Sequence, residues 1–250
     1  MATKKKSEAQ KTSLVLRTCA ADLTSKNGFQ WPQVGETAIA YDWVNNKECG
    51  QGLHGWLYGQ GDHDCSNYLD DTAKWLVVEV QTAGIVMLGG KCKFESGVVR
   101  FIGDKKSATD FLIANEPQSA SVAVIGASLV VGDSQSVIVG ALGTATAGDR
   151  GTATAGDSGT ATAGDRGTAT AGDSGTATAG YRGTATAGDS GTATAGYSGT
   201  ATAGDRGTIC IKFYDYKNER YRTVVGYTGE DGIEPNVAYK LDDKNKLVKA

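Results

Sequence analysis

The chain lacks a long apolar run, a strong excess of charge of either sign, and a regular cysteine framework. No stretch approaches the ~18 apolar residues of a membrane span, so we expect no membrane partner. The 250 residues carry a net charge of −3, which gives no electrostatic reason to expect a nucleic-acid partner. Five cysteines at scattered positions indicate reduced thiols and no disulfides.

The first residues also lack the apolar core of a secretory signal, so we expect a cytoplasmic protein. The basic run Lys4–Lys6 lies in a polar segment, and we interpret residues 1–12 as a disordered, solvated tail.

Glycine is abundant, with 35 residues, and most of the excess lies in one tandem repeat. From Gly143 to Arg206 the chain reads GTATAGDR and close variants in eight consecutive octads, with six positions fixed. The alternation Thr-Ala-Thr-Ala has the period of two that is typical of a strand. Glycine at octad positions one and six brackets each strand, where corners need a positive φ or leave no room for a Cβ. Each octad therefore predicts one short strand and one tight corner.

The flanks of the array indicate which side of each strand faces inward. The neighbouring octads carry apolar residues at positions three and five, where the array has alanine; these residues are Leu129, Val131, Val137, Val139, Ile209 and Ile211. We therefore expect the alanines to point inward and the threonines to point outward.

The variable positions indicate how many octads form one coil. Arginine at position eight recurs at Arg150, Arg166 and Arg182, and tyrosine at position seven occurs at Tyr181 and Tyr197, in each case 16 residues apart. The repeat thus predicts a β-solenoid with two octads per coil, in which like side chains stack on one edge. The alternative is a disordered low-complexity linker, but the octad never slips and apolar residues enter it in phase at both ends.

The predicted fold class is mainly β: an octapeptide-repeat β-solenoid over 119–214, an N-terminal α+β domain over 13–118, and a C-terminal β cap over 215–250. In the first domain, Ser13–Cys19, Lys74–Val80 and Val98–Ile102 read as strands. A short helix is expected at Ala108–Ala114, before Pro117. In the tail, a hairpin is expected at Tyr221–Tyr227 with Phe213 and Tyr214, followed by a closing strand near Val237–Leu241.

Two resemblances follow from these motifs. CGQGLHGW from Cys49, CSNYL from Cys65, and the ending GIEPNVAYKL from Gly232 resemble a family of phage and prophage proteins of unknown function, which carry a small N-terminal module and C-terminal octapeptides. That resemblance implies a phage-related protein, with virion association as one location, and no known activity. The octads separately resemble bacterial ice-nucleation proteins, whose 16-residue coils carry Thr-x-Thr strands and stacked tyrosines. The array departs from those coils in its shortness, its Arg and Asp corners, and its two tyrosines.

The weak candidates for a metal site are Cys49, His54, His63 and Cys65. Zinc accepts two thiolates and two imidazoles, but this spacing matches no common site, so we expect no metal and no cofactor. His54 lacks a paired nucleophile or acid nearby in sequence. We expect no enzyme; a reaction in the N-terminal domain involving His54 stays the alternative.

The threonines are the candidate binding residues, because they form a regular grid of hydroxyl and methyl groups. The leading interpretation is a rigid spacer or display scaffold that self-associates end to end or side by side. The alternative is an ice-binding or ice-nucleation-like protein that acts on ice or ordered water through its outward threonines. The candidate residues are Thr144, Thr146, Thr152, Thr154, Thr160, Thr162, Thr168, Thr170, Thr176, Thr178, Thr184 and Thr186.

Overall fold

A computed structural model describes residues 11–250, which form two compact units, the first ending at Ser121 and the second beginning at Val122. The predicted N-terminal tail lies largely outside the described residues, although Thr12 already belongs to the first strand. Within 11–250, no helix has the length and apolar character needed to cross a bilayer.

The first unit is one seven-stranded antiparallel sheet with a single α-helix. Its strands follow the order β2-β7-β4-β1-β3-β6-β5. They are β1 (Thr12–Cys19), β2 (Thr37–Ile39), β3 (Leu53–Leu57), β4 (Lys74–Gln81), β5 (Val86–Met87), β6 (Cys92–Phe94) and β7 (Ser96–Gly103). The central strands β1 and β4 are apolar along most of their length, so both of their faces are covered. The three predicted strands are thus confirmed.

The helix α1 (Lys105–Asn115) begins with a capping box formed by Asp104 and Ser107. Asp104 caps it by accepting a hydrogen bond from the Ser107 backbone N–H (2.7 Å), and the Ser107 hydroxyl accepts one from the Asp104 N–H (3.1 Å), which satisfies two donors at the helix start. Its buried face includes Ala108 and Leu112. The predicted helix is confirmed and is longer than expected.

The second unit is a β-solenoid of about five coils, as predicted. Parallel strands form two sheets that alternate along the chain. Face 1 comprises β8 (Ser128–Val131), β10 (Thr144–Ala147), β12 (Thr160–Ala163), β14 (Thr176–Ala179), β16 (Thr192–Ala195) and β18 (Thr208–Asp215). Face 2 comprises β9 (Ser136–Ile138), β11 (Thr152–Ala155), β13 (Thr168–Ala171), β15 (Thr184–Ala187) and β17 (Thr200–Ala203).

The pairing register confirms two octads per coil. Thr160 pairs with Thr176 and Ala161 with Ala177, an offset of 16 residues that the other repeat strands share. Every array alanine is buried, with 0–3 % of its surface exposed, so the expectation of an inward alanine core is also confirmed. Alanine leaves room for only a thin core between the two faces.

Both ends of the solenoid are covered by larger residues. At the start, Val124 and Ile125 are buried, and Gly140 donates from its backbone N–H to the Val124 carbonyl. At the end, β19 (Arg220–Tyr227) forms a hairpin with β18, and β20 (Tyr239–Leu241) pairs with β17 and β21 (Leu247–Lys249). The predicted hairpin and closing strand are confirmed.

The corners contain a feature that the sequence left open. Position eight of each octad of the array adopts the left-handed conformation, with φ between +52° and +58°, although it carries serine or arginine. None of the array glycines has a positive φ. These glycines are required for space: a Cβ on Gly175 would lie 2.8 Å from both the Ala171 Cβ and the Gly172 carbonyl oxygen. Of the two reasons given for glycine, close approach is therefore the one that applies.

Candidate functional site

The candidate site consists of two threonine arrays, one on each face of the solenoid. Each strand of sequence Thr-Ala-Thr-Ala points its alanines inward and its threonines outward because successive side chains alternate across a strand. The predicted residues fall into two sets of six. Face 1 carries Thr144, Thr146, Thr160, Thr162, Thr176 and Thr178, and face 2 carries Thr152, Thr154, Thr168, Thr170, Thr184 and Thr186.

Both arrays extend one row beyond the predicted residues. Thr192 and Thr194 continue face 1, and Thr200 and Thr202 continue face 2, in the same register. The signal for them was present, because their octads repeat the same GTATAG letters. Each array therefore has four rows of two threonines.

The rows are regular because the backbone fixes their spacing. Parallel strands lie ~4.8 Å apart, and alternate residues along a strand are ~6.6 to 7 Å apart. Thr176 at the start of its strand is exposed, whereas Thr178 is half-buried, so the two columns of a face differ in their access to water. Threonine is stiff at χ1, which gives each row a defined position for its methyl and hydroxyl groups.

The edges of the solenoid are locked by aspartate ladders. On the edge that follows face 2, the Asp157 carboxylate accepts a hydrogen bond from the Asp173 backbone N–H (3.0 Å), and Asp173 accepts from Asp189 N–H (2.9 Å). Asp189 in turn accepts from the N–H of Asp205 (2.7 Å). Each aspartate thus joins its own coil to the next, which fixes the register of the threonine rows.

The edge that follows face 1 changes from aspartate to tyrosine partway along. Asp133, Asp149 and Asp165 form the same ladder, which ends when Asp165 accepts from the Tyr181 N–H (2.9 Å). Beyond it, Tyr181 and Tyr197 stack with ring centroids 6.0 Å apart and 6° between planes, and the Arg182 guanidinium lies 5.3 Å from the Tyr181 ring centroid. The prediction that like side chains stack on one edge is confirmed.

The four candidate metal ligands do not come together as one cluster. Cys49, His54 and Cys65 line a cavity of the first unit. His63 does not line it and instead lies beside two carboxylates, with its Nε2 atom 3.3 Å from Asp64 Oδ1. Among residues 11–250, the one set of three metal-type donors within 4.8 Å of one another is Asp62, His63 and Asp64, on a single exposed turn.

Comparison with known proteins agrees with this division into two units. A protein-family model described as "Domain of unknown function (DUF7666)" matches residues 13–114, which is less than half of the chain. No solved structure matches. The first unit thus carries a recognisable domain to which that family attaches no activity.

The curated relatives are ice nucleation proteins. One from Pseudomonas syringae is 36% identical over 111 residues, covering 44% of this chain and 10% of the relative. One from Xanthomonas campestris pv. translucens is 39% identical over 107 residues, covering 42% and 7%, and ice nucleation protein InaU from Pantoea ananas is 33% identical over 102 residues, covering 40% and 10%. The chain spans a tenth or less of the length of each of these relatives.

The fold and the arrays define a β-solenoid repeat protein with a threonine array on each face. The repeat is similar to that of ice nucleation proteins, which supports the resemblance drawn from the octads. Neither the family match nor the relatives bear on a phage origin.

Proposed function

We propose that the threonine arrays bind ice or ice-like ordered water. The observation that carries the proposal is the in-register ladder of identical Thr-Ala-Thr-Ala strands, which places four equal rows of threonine on each face. A surface that repeats in two directions complements a crystal, which a surface of irregular spacing does not. The similarity to ice nucleation proteins supports the same function.

The chemistry of threonine suits this role. Its hydroxyl group donates and accepts hydrogen bonds, and its methyl group limits how freely the neighbouring water can arrange itself. Adsorption to ice then orders few side chains, because the threonines are β-branched and their backbone is fixed by the coil-to-coil ladder.

The size of the array favours binding to existing ice over nucleation of new ice by a single chain. Four rows spaced by ~4.8 Å span about 15 Å, which covers only a few water molecules in each direction. A single chain is therefore expected to slow the growth or recrystallisation of ice. Nucleation would require many arrays side by side, and we propose self-association as the route to it.

Paired variants test the proposal and assign the face. Thr160→Lys with Thr176→Lys places two charges on face 1, and Thr168→Lys with Thr184→Lys does the same on face 2. If one face binds ice, one double variant loses most of the thermal hysteresis and ice-recrystallisation inhibition of the wild type, while the other retains it. Ser158→Lys with Ser174→Lys is the matched control, because it adds the same two charges at corner positions that elsewhere carry arginine.

A wild-type protein with no effect on ice in either assay would contradict ice binding. The second candidate, a rigid spacer or display scaffold, is favoured by the aspartate ladders, which join successive coils along both edges. Under that function, the lysine variants leave every measured property unchanged except charge. Size-exclusion chromatography with light scattering measures the proposed self-association directly.

A further inference from the structure

The first unit contains a cavity that the threonine arrays do not explain. Its volume is about 520 Å³, within the range of small-molecule sites. It is lined by residues of β1 and β3 and by the loops around them, among them Arg17, His54, Phe29, Tyr68 and Lys91. Residues far apart in sequence thus converge on one concave surface.

Arg17 is a half-buried cation without a carboxylate partner among the described residues. Its Nη1 donates to the His54 carbonyl oxygen (2.7 Å), its Nη2 donates to Ser25 Oγ (2.6 Å), and its guanidinium lies 4.8 Å from the Trp31 ring centroid. These bonds use two of the five guanidinium N–H donors, and its Nε is fully buried with no partner. Burial lowers the pKa of Arg17 to about 10, so the side chain stays charged at neutral pH.

His54 supplies a second buried atom without a partner. Its Nε2 has no hydrogen bond, while the ring is in contact with the Gly52 carbonyl. Burial, and then the charges of Lys91 and Arg17, lower the pKa of His54 to about 4. The ring is therefore neutral at pH 7, and with its proton on the nitrogen that contacts the carbonyl, Nε2 is a hydrogen-bond acceptor.

These two atoms are the complete set of buried side-chain nitrogen and oxygen atoms without a partner in the range 11–250, and both belong to residues that line the same cavity. Native structures leave few buried polar groups unsatisfied, and buried charges are normally paired. An unpaired charge and an unpaired acceptor, on two residues that line one cavity, therefore point to a ligand with a negative charge and a hydrogen-bond donor. Because neither atom is accessible to solvent in this structure, the two side chains must shift to meet that ligand.

We propose that this cavity binds a small organic anion with an aromatic ring, the class to which nucleotides belong. Three cations, Arg17, Lys26 and Lys91, line the cavity against two carboxylates, those of Asp42 and Asp64, and the anionic group pairs with the cations. The ring packs against the aromatic residues of the lining, Phe29, Tyr41 and Tyr68. A ring N–H, amine or hydroxyl group of the ligand donates to His54 Nε2.

The test uses the full chain and a panel of four nucleoside monophosphates, AMP, GMP, CMP and UMP, measured by isothermal titration calorimetry. At least one is expected to bind, and its parent nucleoside and inorganic phosphate are expected to bind at least about tenfold more weakly, because each lacks half of the recognised chemistry. Equal binding of phosphate alone would overturn the ring part of the proposal, and no binding by any of the four would overturn the whole.

Variants locate the binding in the cavity. Lys91→Gln is expected to weaken the affinity for the bound nucleotide by about three- to tenfold. Lys47 is an exposed lysine of the same unit that does not line the cavity, and Lys47→Gln is expected to change the affinity by less than about twofold. Arg17→Lys is expected to weaken it further, with circular dichroism to check that the variant folds.

NMR gives a readout that does not depend on the variants, because the chain has only two histidines. A ligand bound against His54 is expected to shift the ring resonances of His54 at pH 7 and to leave those of His63 nearly unchanged. The ligand would lie elsewhere, and the proposal would be overturned, if binding left the His54 resonances unchanged and Lys91→Gln bound with the affinity of the wild type. Ice assays are unaffected by any of these outcomes.

Discussion

The aspartate ladder leads to a prediction that separates the stabilising hydrogen bond of Asp173 from the repulsion between its charge and those of its neighbours. Asp173 lies between Asp157 and Asp189 on one edge, and its carboxylate accepts the Asp189 N–H at 2.9 Å. Substitution by alanine removes that acceptor, whereas substitution by asparagine keeps an oxygen in the same place and removes only the charge. The two variants differ by the hydrogen bond, and each differs from the wild type by the charge.

The magnitudes follow from the geometry. A net contribution of about 1 kcal/mol is typical of such a hydrogen bond. Like charges one coil apart, at ~4.8 Å, repel by about 0.9 kcal/mol per pair in water without salt, and salt screens most of this at high concentration. Asp173 has two such neighbours, so removal of its charge relieves about 1.7 kcal/mol of repulsion at low salt. We therefore expect Asp173→Asn to stabilise the solenoid by about 1.7 kcal/mol at low salt and by close to zero in about 1 M NaCl. Asp173→Ala should stabilise it by about 0.7 kcal/mol at low salt and destabilise it by about 1 kcal/mol at high salt.

Urea denaturation followed by far-UV circular dichroism measures these differences. All four tryptophans, Trp31, Trp43, Trp56 and Trp75, lie in the first unit, so tryptophan fluorescence serves as a control that this unit is unchanged. Equal stability of the alanine and asparagine variants at every salt concentration would refute the structural role of the ladder.

Three further predictions concern single positions. Gly175→Ala should destabilise the solenoid by about 1–3 kcal/mol, because the added Cβ meets Ala171 and Gly172. Thr176→Ala, on the exposed surface, should cost under about 1 kcal/mol. A reversed order of the two urea midpoints would contradict the close-approach argument. Ser174 has a φ of +54°, a conformation that asparagine tolerates and a β-branched residue does not. Ser174→Asn should therefore stabilise the solenoid, and Ser174→Val should destabilise it, each by about 1 kcal/mol. Thermal melts in which the valine variant is more stable than the asparagine variant would disprove this. The folded pKa of His54 (about 4) lies below its ordinary value of 6.5. Its contribution to the stability of the first unit is therefore fully present above pH 6.5 and is lost as the pH falls towards 4. His54→Asn should reduce the dependence of this stability on pH in fluorescence-detected urea titrations, and an unchanged pH dependence would contradict the prediction.

The repeat made the solenoid predictable, because the octad period, the apolar flanks and the 16-residue recurrence of arginine and tyrosine are all local signals. The same letters left two features open. Aspartate at position seven gave no local signal of its hydrogen bond across coils, because that bond depends on how the chain stacks. The left-handed corner falls on Arg150 and its equivalents, where neither arginine nor serine signals such a backbone.

The first unit was predictable strand by strand but not as a site. Cys49, His54 and Cys65 were chosen for their chemistry, and the structure places them along one cavity. Arg17 and Lys91 reach the same cavity from other strands and loops, and no spacing in the sequence links them. Only the order of strands in the sheet brings these residues together.

The alternation of two faces along the chain imposes a parity rule on repeat number. Removal of two octads would shorten the solenoid by one coil and leave β18 stacked on the same sheet. Each remaining corner would still stack on a corner of the same edge. Removal of a single octad would exchange the two sheets for everything downstream and move the terminal hairpins to opposite sides. Change in length by duplication or loss is therefore neutral to architecture only in steps of 16 residues.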